Sequence, residues 1–166
     1  HLQVLWGTSL MLPPAAILHW SWSQWRGEHP ANQLDFPSLT RDEFDTLLRA
    51  AMLHRFGLSM RLPDLIEEQR ESVRVHTALY ADTIAPFVRD GVLHRLTDQP
   101  LRHGFGERAP AFQLSLDGRH VVAQFRLPGG STPASVRAVD LDVTATYRVT
   151  DLGRGAVHEA SGEELA

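Results

Sequence analysis

Hydrophobic and polar positions change rhythm once along this chain, near residue 91. Gln3 to Leu12 is a near-continuous apolar run closed by Pro13-Pro14, which predicts a strand buried on both faces, as in a parallel sheet. An irregular stretch follows, broken by Gly27, Pro30 and Pro37. Thr40-Arg41-Asp42-Glu43 has the spacing of a capping box, and Phe44, Leu47, Leu48, Ala51 and Met52 continue it with helical periodicity up to a stop at Gly57. Leu58 to Leu62 is a short candidate strand. From Pro63 and Asp64 a long helix is expected, with Ile66, Val73, Thr77, Tyr80, Ile84 and Phe87 on one stripe, Pro86 straining its last turn and Gly91 ending it. Strand, loop, helix, strand and helix in that order imply parallel strands with crossover helices.

After residue 91 the segments are short and alternating: Val92 to Thr97, Ala111 to Leu116, His120 to Leu127, Val136 to Asp140 and Thr144 to Thr150. Asp117-Gly118, between two such runs, is the signal of a type I′ hairpin turn. This half reads as an antiparallel sandwich. A domain boundary is expected between Gly91 and Leu101, with no flexible linker.

The irregular stretch raises the question of chemistry. Residues 19 to 33 read HWSWSQWRGEHPANQ, and three of the four tryptophans of the chain, Trp20, Trp22 and Trp25, fall inside it. Indole offers a flat apolar face and one N–H donor, which suits a sugar ring with a C–H face and a hydroxyl rim. His19, Ser21, Ser23, Gln24 and Arg26 could add directional bonds. The competing reading packs the same indoles into a core. Loop carboxylates Glu28 and Asp35 are either site residues or solvated charge, whereas Asp42, Glu43 and Asp64 are explained by helix N-termini. His158-Glu159 opens like a zinc-helix motif but has Gly162 where the second histidine belongs. No serine sits in a Gly-x-Ser-x-Gly elbow, and Gly104-Phe105-Gly106 does not open a helix after a strand. No metal site, organic cofactor or catalytic pair is therefore expected within this chain.

Composition narrows the classes further. With 166 residues, 43% of them hydrophobic, the chain is long enough to bury a sizeable core. Cysteine and lysine are absent, which removes disulfide, thiolate and Schiff-base chemistry and fits a reducing, cytoplasmic setting. The net charge of −4 is made of interspersed signs, so neither a nucleic-acid nor a membrane partner is expected. The chain lacks an initiator methionine, and both ends are expected to lie inside a longer protein.

Several phrases, in collinear order, resemble the C-terminal part of bacterial α-galactosidases of glycoside hydrolase family 36, in the melibiase-like clan. Gly7-Thr8-Ser9-Leu10-Met11-Leu12-Pro13-Pro14 looks like a strand from the last quarter of that barrel, and His19 and Ser21 match the His-x-Ser after it. Arg49 to Ser59 is similar to the helix-into-strand phrase near the barrel's end. Leu62-Pro63-Asp64-Leu65 opens the last helix. Gly91 to Leu96, Gln99 to Arg102, Ala111-Phe112-Gln113 with Asp117-Gly118, Phe125 to Pro128, Tyr147 to Asp151 and Ser161 to Leu165 follow the β-domain.

The resemblance implies the terminal portion of a (β/α)8 barrel over residues 1–91, then an antiparallel β-sandwich domain over 92–166. It implies a retaining hydrolase of terminal α-galactosides, without metal or organic cofactor, homo-oligomeric when complete. The two catalytic aspartates belong to motifs upstream of this segment, so none of the catalytic residues is expected in this chain. His19, Ser21, Trp22 and Trp25 are the candidate substrate-binding residues. Where relatives read Pro-Asn-His-Gln after His-x-Ser, this chain carries the tryptophan-rich loop, with His29-Pro30-Ala31-Asn32-Gln33 as its displaced counterpart. The alternative from another class is a stand-alone, non-catalytic carbohydrate-binding or interaction module.

Overall fold

A computed structural model describes residues 2–22, 38–101, 105–127, 129 and 135–166 of the chain. The chain divides into two compact units, His1–Leu93 and His94–Ala166. The first is α/β and the second is built largely of antiparallel strands.

The first unit opens on a helix, α1 (Leu2–Thr8), where the apolar run predicted a strand. A short continuous apolar run fits a buried strand and a buried helix equally well by period. Here the helix wins because only Leu2 and Leu5, one turn apart, are buried. The rest of the run, Leu10, Met11 and Leu12, is exposed, with Met11 at 86%. Hydroxyl groups close the helix: Thr8 donates to the Val4 carbonyl at 2.9 Å and Ser9 to that of Trp6 at 2.7 Å.

The first strand, β1 (Leu18–Trp22), lies inside the stretch the sequence left irregular. It pairs in parallel with β2 (Arg55–Ser59), in the register His19 to Phe56, Trp20 to Gly57, Ser21 to Leu58 and Trp22 to Ser59. Between them runs α2 (Arg41–Ala51), which begins as its spacing predicts. Glu43 N–H donates to Thr40 Oγ1 at 3.3 Å, and Thr40 N–H donates back to the Glu43 carboxylate at 2.9 Å. The β2 strand starts three residues earlier than expected, at Arg55.

The long helix is interrupted. A 3-10 turn (Leu62–Asp64) precedes α3 (Glu67–Leu79), a π turn (Tyr80–Ile84) follows, and α4 (Ala85–Asp90) completes it. Pro86 has no N–H, and the chain widens by one residue just before it, with Ala85 N–H reaching back to the Tyr80 carbonyl. Val73, Ile84 and Phe87 of the expected stripe are buried, but Ile66 is exposed. Phe44, Leu48, Leu65 and Val73 form the core, and Phe56 and Leu58 of β2 pack on it.

The chain enters the second unit along β3 (Val92–Arg95), which forms one sheet with β4 (Ala111–Leu116) and β5 (Arg119–Gln124) in that order. Asp117 (φ 48°) and Gly118 (φ 69°) make the two-residue turn of the β4–β5 hairpin, both left-handed as a type I′ turn requires. Residues 136–140 were expected as a strand but lie outside any strand, with Asp140 left-handed at φ 58°. The side chain of Gln113 holds that segment in place of strand pairing. A second antiparallel pair joins β6 (Thr146–Thr150) to β7 (Val157–Ser161), the latter not anticipated from its pattern. The unit ends in a short α5 (Gly162–Leu165), opened by a capping box between Ser161 and Glu164.

Candidate functional site

Alternation along β1 decides which side chains can act together. Parallel strands put register partners on the same face. His19 therefore shares the face of Phe56, which belongs to the core, and Trp20 shares the opposite face with Gly57. The Trp20 indole leans over Gly57 beside Leu18, and both side chains remain about half exposed, at 49%. On this face β1 offers an apolar surface that no described element covers fully.

On the buried face the His19 ring stands 6.2 Å from that of His54, centroid to centroid and tilted by 40°. His54 is fully buried just before β2, and neither of its ring nitrogens has a hydrogen-bond partner among the described residues. Burial pushes the His54 imidazole down to about 4. Burial, helped by His54 itself, does the same to His19. Two neutral imidazoles at pH 7 can donate or accept single hydrogen bonds but supply no charge to a substrate.

Of the candidate residues, then, His19, Ser21 and Trp22 lie on one strand, β1, with their backbones hydrogen-bonded beside Phe56, Leu58 and Ser59. Trp25, like Glu28, Asp35 and the 29–33 stretch, lies outside the described residues. Sequence reasoning left two neighbours of this site unassigned. Trp20 was legible in the Leu-His-Trp-Ser-Trp alternation, whereas nothing in the local pattern marked His54 as the partner of His19.

Several described carboxylates of the first unit are engaged in structural work. Glu43 closes the α2 cap, and its hydrogen bonds from Thr40 lower its pKa. Asp64 pairs with Arg61 at 3.2 Å and Glu67 with Arg70 at 2.7 Å. Asp45 is buried between α2 and α3, 3.7 Å from Arg49 and 3.9 Å from His76. In that joint Arg49 Nε donates to His76 Nε2 at 3.2 Å, and His76 Nδ1 donates to the Ser72 carbonyl at 2.8 Å, which fixes the tautomer with its proton on Nδ1. Arg49, beside Asp45, thus ties α2 to α3 through His76. Among the described residues no group of three His, Asp or Glu side chains is placed to hold a metal, and no helix is long and apolar enough to cross a membrane.

No family model and no curated protein sequence matches the chain. Solved structures do. The GH36 alpha-galactosidase AgaB from Geobacillus stearothermophilus superposes with a TM-score of 0.70 at 22% identity, over 99% of this chain and 20% of its own. The galactosidase domain of the alpha-galactosidase-sucrose kinase AgaSK gives 0.70 at 17% identity, over 98% of this chain and 20% of its own. A variant of the G. stearothermophilus GH36 alpha-galactosidase AgaA in complex with raffinose gives 0.67 at 23%, over 99% and 21%. Another AgaA variant was solved in complex with stachyose. The likeness is one of fold, and the chain spans about one fifth of the length of these structures.

Proposed function

We propose that this chain is the C-terminal part of a GH36-type α-galactosidase, with residues 1–91 completing a (β/α)8 catalytic barrel and residues 92–166 forming its β-sandwich domain. The observation that carries the reading is the fold likeness to these enzymes over 98–99% of the chain, at about one fifth of their length. The collinear sequence phrases support it independently.

On this reading the complete enzyme removes terminal α-galactosyl residues from galactosides with retention of configuration. Retention requires two carboxyl groups about 5 Å apart, one as nucleophile and one as acid and then base. Glu43, Asp45, Asp64 and Glu67 are held in a cap or beside arginines, and on this reading both groups come from the rest of the barrel and this chain alone is inactive. Its contribution is to binding. In (β/α) folds the ligand sits at the C-terminal ends of the parallel strands. The β1 strand ends at Trp22, next to Ser59 of β2, and leads into the tryptophan-rich segment. Ser21, Trp22 and Trp25 are assigned to the pocket wall, and because the register sets His19 and Ser21 on one face of β1 and Trp22 on the other, at most two of these candidates contact the sugar. His19 joins them as a neutral hydrogen-bonding ring backed by His54. Sugar recognition by neutral donors and indole faces needs no cation, which agrees with two imidazoles held uncharged.

The test is substitution in the longer protein that carries this chain. Trp22→Ala and Trp25→Ala should each raise KM for an aryl α-galactoside about fivefold or more, as loss of a stacked aromatic contact of about 1 kcal/mol implies. Unchanged KM in both would remove the tryptophan segment from the pocket.

A further inference from the structure

We propose that Gln113, Ser115 and His120 form a proton-operated latch, which clasps residues 135–140 to β4 at neutral pH and releases them in acid. The latch is independent of the proposed hydrolase activity and rests on the hydrogen-bond chemistry of one buried amide.

Gln113 is fully buried, and its side chain pairs with the Val139 peptide as a neighbouring strand would. Val139 N–H donates to Gln113 Oε1 at 2.9 Å, and Gln113 Nε2 donates to the Val139 carbonyl at 2.6 Å. The second N–H of the same amide faces Ser115 Oγ at 2.9 Å and His120 Nδ1 at 3.1 Å. Ser115 Oγ in turn stands 2.9 Å from His120 Nδ1. An amide nitrogen can only donate, so His120 Nδ1 must present its lone pair. The Ser115 hydroxyl then accepts from Gln113 and donates to that lone pair. His120 carries its proton on Nε2, an atom that is buried without a hydrogen-bond partner among the described residues.

Every other group facing the ring bears on its titration. Asp140, at the end of the clasped segment, favours the charged ring, while His94 on β3 opposes it. Tyr147 on β6 meets the ring edge-on, with centroids 5.8 Å apart. Burial is the largest influence and prevails, holding His120 below the ordinary histidine value. When acid does protonate Nδ1, the acceptor becomes a donor. It then opposes the Gln113 N–H and competes for the Ser115 oxygen. Gln113 must turn away, and the Val139 peptide loses both of its side-chain bonds. The same segment holds the end of the chain, through Ala138 N–H to the Leu165 carbonyl at 2.8 Å and Arg137 Nη1 to the Ala166 carbonyl at 2.9 Å. Release of the latch therefore loosens the α5 turn as well.

Amide hydrogen exchange of the full chain between pH 7.5 and 5, corrected for intrinsic rates, tests the latch at the Val139 N–H. Protection there should fall about tenfold per pH unit below the ordinary histidine value, where opening takes up one proton. His120→Asn keeps an acceptor near the Nδ1 position and cannot titrate, so its Val139 protection should be flat over the same range. Should that variant fail to fold, nitrogen-15 shifts of His120 in the unaltered chain decide the matter: the latch requires the Nε2–H tautomer at neutral pH. An Nδ1–H tautomer, a flat profile in the unaltered chain, or an equal decline in His120→Asn would each overturn it.

Discussion

Trp20 lies across Gly57: a methyl group placed on Gly57 would stand 3.2 Å from Cδ1 of Trp20 and 3.3 Å from Cδ1 of Leu18. The absence of a side chain at Gly57 is what lets the indole settle against β2. This contact belongs to the face of β1 opposite His19, so strand alternation sets Leu18 and Trp20 on an open side and His19 on the core side.

Gly57→Ala should accordingly displace the indole, because the methyl would meet a side chain tighter than ordinary packing allows. A loss of about 1 kcal/mol in denaturant unfolding is expected, with a shift in tryptophan emission. Combining it with Trp20→Ala should cancel part of that loss, since the ring is gone and only Leu18 still crowds the methyl. Additive losses in the double variant would show that Trp20 is not the neighbour that matters.

Acid should weaken the first unit through His19 and His54. Both rings are pushed down to about 4 in the folded chain, from 6.5 when unfolded. As pH falls, the unfolded chain takes up protons first, so stability is full above about 6.5 and declines steadily towards 4. For His54 the loss reaches on the order of 3 kcal/mol at the acid end. His54→Leu removes a buried ring without hydrogen-bond partners and should be no less stable at pH 7, with a shallower decline in acid. Denaturant unfolding at pH 7.5, 6 and 5 checks both points, and a His54→Leu variant that declines as steeply as the unaltered chain would refute them.

The turn into α5 is held by close backbone approach. A Cβ on Gly162 would collide with the Asp142 carbonyl oxygen, and Gly162 N–H donates to the Ala145 carbonyl at 2.9 Å. The obstacle is backbone and cannot swing aside. Gly162→Ala should therefore destabilise the second unit by about 2 kcal/mol or more and expose the β6–β7 hairpin amides to exchange. A thermal midpoint within a degree of the unaltered chain would contradict the contact.

Thr40→Ala should remove about 1 kcal/mol by deleting the hydroxyl that accepts from Glu43 N–H and donates to the Glu43 carboxylate, whereas Thr40→Ser should keep most of it. Equal losses in the two variants would assign the effect to the threonine methyl instead of its hydroxyl.

Local chemistry was legible in the sequence where a few neighbouring residues decide the outcome. Thr40 and Glu43 announce the α2 cap, and Asp117-Gly118 announces a type I′ hairpin, because each is settled within four residues. The α/β unit followed by antiparallel strands could also be read from the change of period near residue 91. The Leu2–Leu12 run misled because continuous apolarity has no period, and burial at Leu2 and Leu5 depends on what packs there. The β1 strand was hidden by its own content. Histidine and serine between tryptophans read as polar interruptions, although Leu18 to Trp22 alternates as a strand with two different faces should. The 136–140 segment failed as a strand because a glutamine amide supplies the two bonds a partner strand would have made. The pairing of His19 with His54 was out of reach, since it depends on α2 returning the chain to the side of β1.

The most direct test of the central claim is to read the coding DNA upstream of His1 and assay the extended protein on an aryl α-galactoside. The account expects an in-frame barrel with two carboxylates whose individual substitution abolishes hydrolysis, while the 166-residue chain alone is inactive. A frame that closes at His1, or an extended protein with no such hydrolysis, would contradict it.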